Sequence, residues 1–128
     1  MTNNKRVLII GIASREEIQA RTIAIARGEI KVTADDPKVW FTSLESLAQV
    51  LSSKNKLLLE LITQAKPQSM SELAALSGRK ISNLSRTLHT MEHYGLVELR
   101  KEPNGTVRPL VPYSRVKLDL SLDQSQAA

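Results

Sequence analysis

"LSGRKISNLSRTLHTMEHYGLV", residues Leu76–Val97, combines apolar residues at helical spacing with an otherwise polar and basic surface. The spacing predicts a helix from about Lys80 to Tyr94 that ends at Gly95. Its apolar residues recur three or four positions apart, so they share one stripe that we expect to pack on the core. The members of this stripe are Ile81, Leu84, Leu88 and Met91.

The opposite face of the predicted helix carries hydrogen-bonding side chains rather than the Glu and Lys of an ordinary solvated helix. Arg can bond guanine edges, Asn can bond adenine, and Ser and Thr can bond bases or phosphates. A helix N-terminus also favours phosphate. The face therefore predicts DNA contact, with a merely solvated surface as the alternative. It holds Ser82, Asn83, Arg86, Thr87, His89, Thr90 and His93, and Arg79 and Lys80 flank its start.

The neighbouring segments place this helix in a larger motif. Ser69 begins a short helix that Gly78 ends, and two strand-like runs flank Asn104-Gly105, a pair that suits the positive φ angles of a tight hairpin turn. A short helix, a turn, a longer helix and a basic hairpin predict a winged helix-turn-helix, whose second helix enters the major groove. The hairpin would contact phosphates through Arg100, Lys101 and Arg108.

The remainder of the chain predicts an N-terminal strand-helix extension. Val7–Ile12 is a continuous β-branched run typical of a buried strand, and Ser14 with Glu17 forms a capping box that begins a helix over 14–27. An irregular connector is predicted over residues 29–39. After residue 115, apolar and polar residues alternate, which predicts one more short strand. The expected fold class is α+β, mainly α.

Three regions follow from this reading. Residues 1–42 form the extension and connector, residues 43–115 the winged helix-turn-helix, and residues 116–128 a short strand and tail. The winged helix looks complete without the extension, so we expect a chain lacking residues 1–42 to fold and to lose a dimer or partner surface. Trp40 and Phe41 would anchor the extension on the core.

Charge and composition restrict the partners. The net charge is +5, and Arg79 to Arg115 carries seven Lys/Arg against three Asp/Glu, a basic excess that attracts polyanions unless it is only a solvated surface. The absence of Cys rules out disulfides and fits a cytoplasmic protein. No apolar run is long enough to cross a bilayer. "KRVLIIGIAS" imitates a signal peptide, but its apolar run is short and a capped helix follows at once.

A zinc-protease motif is also present, as His89-x-x-Glu92-His93. Two histidines four apart on a helix suit two zinc ligands, but a catalytic site needs a third ligand and an open position. The residues after His93 predict only a hairpin and a tail, without the downstream helix that usually brings the third ligand. A metal-dependent hydrolase is therefore the disfavoured class, and we expect no metal, no cofactor and no enzyme activity.

The segment "MSELAALSGRKISNLSRTLHTMEHYGLVELRK" resembles winged-helix regulators of the MarR type. The resemblance covers roughly residues 43–113, with Met91 where Leu is usual, and it implies a DNA-binding fold without indicating the operator. The residues that carry it are Glu72-Leu73-Ala74, Ser85-Arg86, Leu88, Met91 and Gly95-Leu96-Val97.

A second resemblance spans nearly the whole chain. "ASREE", "ARTIAIARGE" and "PKVWF", followed by "SLESLAQVLS", are similar to a small prokaryotic family of predicted DNA-binding regulators, some of them antitoxins encoded beside toxin genes. This resemblance implies autoregulation and a toxin partner.

The sequence thus predicts a regulator, most simply a repressor, that binds double-stranded DNA as a homodimer. The alternative is an antitoxin that sequesters a toxin through residues 1–42 and regulates its own operon. An exposed apolar edge at Val7–Ile12 would favour that alternative.

Overall fold

The protein is a mixed α and β structure in which helix predominates. The computed structural model describes residues 6–122, and that part of the chain contains five helices and five strands. The helices are α1 (Arg15–Ala26), α2 (Leu44–Val50), α3 (Ser53–Ala65), α4 (Met70–Ser77) and α5 (Ile81–His93). The strands are β1 (Val7–Ile12), β2 (Val39–Phe41), β3 (Glu98–Lys101), β4 (Val107–Leu110) and β5 (Arg115–Leu120).

A three-stranded parallel sheet joins the two ends of the described chain. Its order is β2-β1-β5, with Ile10 in register with Val39 on one side and with Leu118 on the other. Parallel neighbours need a crossover, which α1 supplies between β1 and β2. The strand predicted at Val7–Ile12 and the one predicted after residue 115 are confirmed. The predicted connector over 29–39 is wrong at its end, because β2 begins at Val39.

One hydrophobic core serves both the sheet and the helices. Leu8, Ile10 and Phe41 belong to the same buried cluster as the apolar residues of α3, α4 and α5. Phe41 also stacks on Tyr94 at the end of α5, with ring centroids 4.3 Å apart. A chain lacking residues 1–42 would lose these contacts, so the structure argues against our expectation that such a chain folds.

The buried stripe of α5 is narrower than the sequence predicts. Leu84, Leu88 and Met91 are fully buried, as expected, but Ile81 is 47% exposed. Ile81 is the first residue of the helix and lies to one side of the line that the three buried residues define. Its assignment to the core stripe is therefore wrong.

The hairpin β3–β4 is antiparallel, but its turn is wider than the sequence suggests. Gly105 has a positive φ of 88°, whereas Asn104 has a negative one. The Glu102 amide donates to the Thr106 carbonyl, and the Gly105 amide donates to the Glu102 carbonyl. The Asn104 side chain accepts from the Thr106 amide, so it shapes the turn by hydrogen bonding and not through a positive φ.

The face of the sheet away from the core is organised around Trp40. Its ring lies against Gly11, where a Cβ atom would come within 2.5 Å of the ring. Arg21 of α1 lies 5.6 Å from the Trp40 centroid and pairs with Asp36 at 3.3 Å. A hydrogen bond from the Thr33 amide holds the pKa of Asp36 below its usual value. Partial burial acts in the opposite direction, and the positive charge of Arg21 lowers the pKa further.

The predicted capping box of Ser14 and Glu17 is present at the start of α1 and is confirmed.

Candidate nucleic-acid interface

Two helices and a short turn position the predicted DNA-contacting residues. Ser69 caps α4 by accepting from the Glu72 amide, and α4 ends at Gly78 in a left-handed conformation with φ 73°. A side chain would be strained there, so glycine permits the sharp exit from the helix. Only Gly78, Arg79 and Lys80 separate α4 from α5, and the two helices pack against each other.

The surface of α5 opposite the buried stripe presents unpaired polar groups. Lys80, Ser82, Asn83 and Arg86 are exposed, and their side chains have no hydrogen-bond or ion-pair partner among residues 6–122. Thr87 belongs to the flank of this surface, because it is half-buried. The first two turns of α5 therefore display two cations and two side chains that can both donate and accept hydrogen bonds.

The farther part of the same surface is committed to contacts within the helix. The Thr90 hydroxyl donates to the carbonyl of Arg86 at 3.1 Å. The His89 Nδ1 atom lies 2.7 Å from the carbonyl of Ser85, which fixes Nδ1 as the protonated nitrogen of that ring. The exposed side chains of Lys80, Ser82, Asn83 and Arg86, which make no such contact among residues 6–122, lie at or near the start of α5.

Arg79 differs from its neighbours because its guanidinium is hydrogen-bonded to another element of the protein. It donates to the carbonyl of Lys54 at 3.0 Å and to Oδ1 of Asn55 at 3.3 Å. Both acceptors are in the first turn of α3. Arg79 therefore ties the turn before α5 to a residue of α3 that lies 24 positions earlier, and these two bonds use only some of the N–H donors of a guanidinium that the sequence predicts to contact DNA.

The three cations predicted on the hairpin have unequal environments. Arg108 is half-buried and pairs with Glu102 at 3.1 Å. Arg100 is exposed and reaches Glu98 at 3.5 Å. Lys101 is exposed and has no ion pair in the described part of the chain. Glutamates therefore offset part of the positive charge of the two arginines, whereas none of the described carboxylates pairs with Lys101.

The two histidines do not belong to a larger cluster of metal-binding side chains. Between residues 6 and 122, no group of three or more His, Cys, Asp or Glu side chains is close enough together to hold a metal ion. His93 instead lies edge-on to the Tyr94 ring, with centroids 5.2 Å apart. The same described range contains no helix long and apolar enough to cross a membrane.

One family model, described as HVO_A0114, matches residues 50–118, more than half of the chain. The chain belongs to the HVO_A0114 family. No curated protein matches it, and no solved structure matches it. The segment shared with the HVO_A0114 family runs from the end of α2 into β5. It contains all nine residues predicted to bind DNA, and it leaves β1, α1 and β2 outside.

Within the HVO_A0114 segment, the structure adds two residues that the sequence did not indicate. Asn55 accepts from Arg79 and also donates from its side chain to the carbonyl of Val50, so it links the turns before α3 and α5. Lys54 is exposed at the same junction. The wide separation of Asn55 and Arg79 in sequence explains why no local pattern revealed this contact.

Proposed function

We propose that this protein is a sequence-specific regulator of transcription that binds double-stranded DNA through a winged helix-turn-helix. One observation carries the proposal: α5 buries Leu84, Leu88 and Met91 completely and presents the unpaired side chains of Asn83 and Arg86 on its exposed side. An α-helix fits the major groove of B-DNA, which is about 12 Å wide. In this proposal α4 and α5 form the helix-turn-helix and β3–β4 forms the wing.

The side chains divide into base-reading and phosphate-binding groups. Asn83 and Arg86 are the candidates for base edges, because Asn matches adenine and Arg matches guanine in two-point hydrogen bonds. Ser82 and Lys80 lie at the helix N-terminus, where phosphate is favoured by the helix dipole and by charge. Lys101 is the strongest phosphate candidate on the wing, since it has no ion pair with any of residues 6–122.

Arg79 takes a different role in this mechanism. Its two hydrogen bonds to α3 hold the start of α5 in one orientation, so it positions the reading helix and does not itself bind phosphate. Thr87 would contribute to this surface from its flank. The MarR-type resemblance supports the same arrangement, as do the contacts of β4 with α3 and α4 and of β3 with α5.

The proposal includes a homodimer, because two copies of the protein would make the same contact at the two half-sites of a symmetric operator. We further propose that this dimer acts in the cytoplasm as a repressor.

The duplex for the test comes from genomic fragments selected by the purified protein. Binding is then measured by fluorescence anisotropy at several salt concentrations. We expect the logarithm of affinity to fall by about 0.9 for each phosphate contact per tenfold rise in salt. Affinity that is flat with salt, or stronger for single strands, would contradict the proposal.

The antitoxin alternative receives less support from the fold. It would have been favoured by an exposed edge at Val7–Ile12, but β1 is the middle strand of its sheet and both of its edges are paired. Residues 1–42 also contribute Leu8, Ile10 and Phe41 to the shared core. A toxin partner therefore remains a secondary proposal, and it would have to bind a surface other than the β1 edge.

A further inference from the structure

The strand β5 is exposed to an unusual degree for an element of a sheet. It pairs with β1 along one edge, and within residues 6–122 no strand pairs with its other edge. All six of its residues are exposed. Proteins commonly blunt such edges with proline, bulges or short length. β5 contains no proline, and its six residues pair with β1 in an unbroken register.

One face of β5 is apolar, and the described residues 6–122 leave it largely uncovered. Val116, Leu118 and Leu120 are in register with Leu8, Ile10 and Ile12, so they point to the side of the sheet that carries the core. They are nevertheless 42%, 48% and 42% exposed. Contiguous exposed apolar patches mark interaction sites, whereas apolar residues scattered singly over a surface do not.

A groove adjoins this apolar face and runs between the sheet and the helices. It encloses about 680 Å³, and its floor includes Ile10 and Leu118 while Leu59 of α3 forms part of its wall. Leu47 and Leu51, from α2 and the residue after it, also line it. β5 contributes Val116 and Leu118 to the lining of this groove, so a partner that extended the sheet at β5 would lie beside the groove.

We propose that a second copy of this chain pairs with β5 in antiparallel orientation about a two-fold axis. The result is one six-stranded sheet with the strand order β2-β1-β5-β5-β1-β2. Strand addition at an open edge supplies main-chain hydrogen bonds, and a two-fold axis uses the same patch on both copies. The proposal deepens the proposed function, because it gives the regulator's homodimer an interface formed mainly by β5.

The side chains of β5 select one register for this pairing. With Leu118 on the two-fold axis, Lys117 faces Asp119 of the second copy, and the reciprocal pair forms as well. The apolar face is complementary in the same register, since Val116 faces Leu120 of the second copy. Opposite charges directly across strands stabilise a sheet, whereas like charges destabilise it. Lys117 and Asp119 have no ion-pair partner within the described chain, so both are available for this contact.

Other registers are less favourable. A shift that places Lys117 on the axis sets two lysines against each other. A shift of one position sets apolar side chains against polar ones, because side chains alternate between faces. In the preferred register Leu122, which is 92% exposed, faces Ser114 of the second copy. Ser114 lines the groove, so Leu122 would approach the groove of the neighbouring copy.

The first test measures association in the absence of DNA, by sedimentation velocity at micromolar concentrations. We expect the wild-type protein to sediment as a dimer and Leu118→Glu as a monomer with an unchanged circular dichroism spectrum. Leu57→Glu is the matched control, because Leu57 is 64% exposed on α3 and does not line the groove. It should remain a dimer. A monomeric wild type, or a dimeric Leu118→Glu, would overturn the interface.

The second test concerns the register and uses the absence of cysteine from the chain. Leu118→Cys should form disulfide-linked dimers on mild oxidation, and Lys117→Cys should link to Asp119→Cys but not to itself. Preferential self-linking of Lys117→Cys would overturn the register. Lys117→Asp should weaken the dimer, and adding Asp119→Lys should restore it, since both reciprocal pairs are then re-formed. Failure of the double variant to restore association would count against the charge pairing.

These tests separate the interface from DNA binding. A wild-type monomer that binds duplex DNA overturns the β5 interface and leaves the proposed function standing. A β5-linked dimer that binds no duplex overturns the proposed function and leaves the interface standing.

Discussion

The guanidinium of Arg79 donates to Oδ1 of Asn55 across 24 residues of sequence, at a distance of 3.3 Å. The same guanidinium donates to the carbonyl of Lys54 at 3.0 Å. Two acceptors on α3 thus fix the turn that precedes α5. Because this turn sets the direction of α5, the contact has consequences for any ligand that the helix binds.

The Arg79–Asn55 contact leads to a prediction about stability. The variants Arg79→Ala and Asn55→Ala, with the double variant, form a cycle whose coupling energy should be about 1 kcal/mol, the typical net value of a hydrogen bond. Arg79→Lys should not recover it, because an ammonium lacks the planar fork that bonds two acceptors together. Urea unfolding measures the coupling, and additive variants would show that the contact contributes nothing.

DNA binding by Arg79→Ala distinguishes positioning from phosphate contact. If Arg79 positions α5, affinity falls for the selected duplex while the salt slope stays the same. If it contacts phosphate, the slope falls by about 0.9. Lys80→Ala is the matched control, because Lys80 is the adjacent exposed cation and forms no ion pair within the described part of the chain. It should show the reduced slope.

The hairpin supports a prediction about unequal cations. Lys101→Ala should lower the salt slope for DNA by about 0.9 and change the free energy of unfolding by less than about 0.5 kcal/mol, as is usual at exposed sites. Arg108→Ala should affect stability more, because it leaves the half-buried carboxylate of Glu102 without its partner. Anisotropy titrations and urea unfolding of both variants provide the comparison. If Arg108→Ala lowered the salt slope more than Lys101→Ala does, the phosphate contact would belong to Arg108 and not to Lys101.

Close packing against Gly11 gives a prediction for the sheet. A Cβ atom at this position would approach Trp40 Cζ3 to 2.5 Å, so Gly11→Ala forces the indole to move. Overpacking of this kind typically destabilises by about 1–3 kcal/mol. In a Trp40→Ala background the same Gly11→Ala substitution should have a much smaller effect. Thermal or urea unfolding of the four proteins tests this, and equal losses in both backgrounds would exclude the clash as the cause.

The sequence predicted those elements whose signals are local. The stripe of Leu84, Leu88 and Met91, the box at Ser14 and the β-branched run of β1 each depend on spacing within a few residues, and the structure contains all three. Ile81 was misassigned because periodicity identifies a face and does not show where the neighbouring helix stops covering it.

The features that were missed depend on contacts between distant residues. Local patterns could not show that β1 pairs with β5, because the pairing of Val7 with Arg115 joins opposite ends of the chain. The bond of Arg79 to Asn55 and the ion pair of Arg108 with Glu102 were missed for a related reason. A polar side chain looks equally available in a sequence whether or not the fold supplies it with a partner. Arg79 and Arg108 have such partners in the structure, and their predicted contacts with DNA stay predictions.

The most direct prediction concerns the two faces of α5, because it separates folding from DNA binding. Leu84→Ala removes a fully buried side chain and should lower the free energy of unfolding by about 2–5 kcal/mol. Arg86→Ala removes an exposed side chain that pairs with none of the described residues, and it should change that free energy by no more than about 0.5 kcal/mol. Urea unfolding of the two variants measures both changes.

For DNA affinity, Arg86→Ala should have the larger effect and Leu84→Ala the smaller one. Leu84→Ala is assayed under conditions in which it remains folded. If Arg86 bonds a base edge at two points, Arg86→Ala should weaken binding by about 1–3 kcal/mol and relax the preference at one base pair. If it contacts phosphate, all sequences should weaken equally and the salt slope should fall by about one unit. Competition titrations with single-base variants of the selected duplex distinguish these cases. An Arg86→Ala protein with normal stability, affinity, specificity and salt slope would show that the polar face of α5 is ordinary solvated surface, because no other cation lies between Lys80 and Arg100 to replace it.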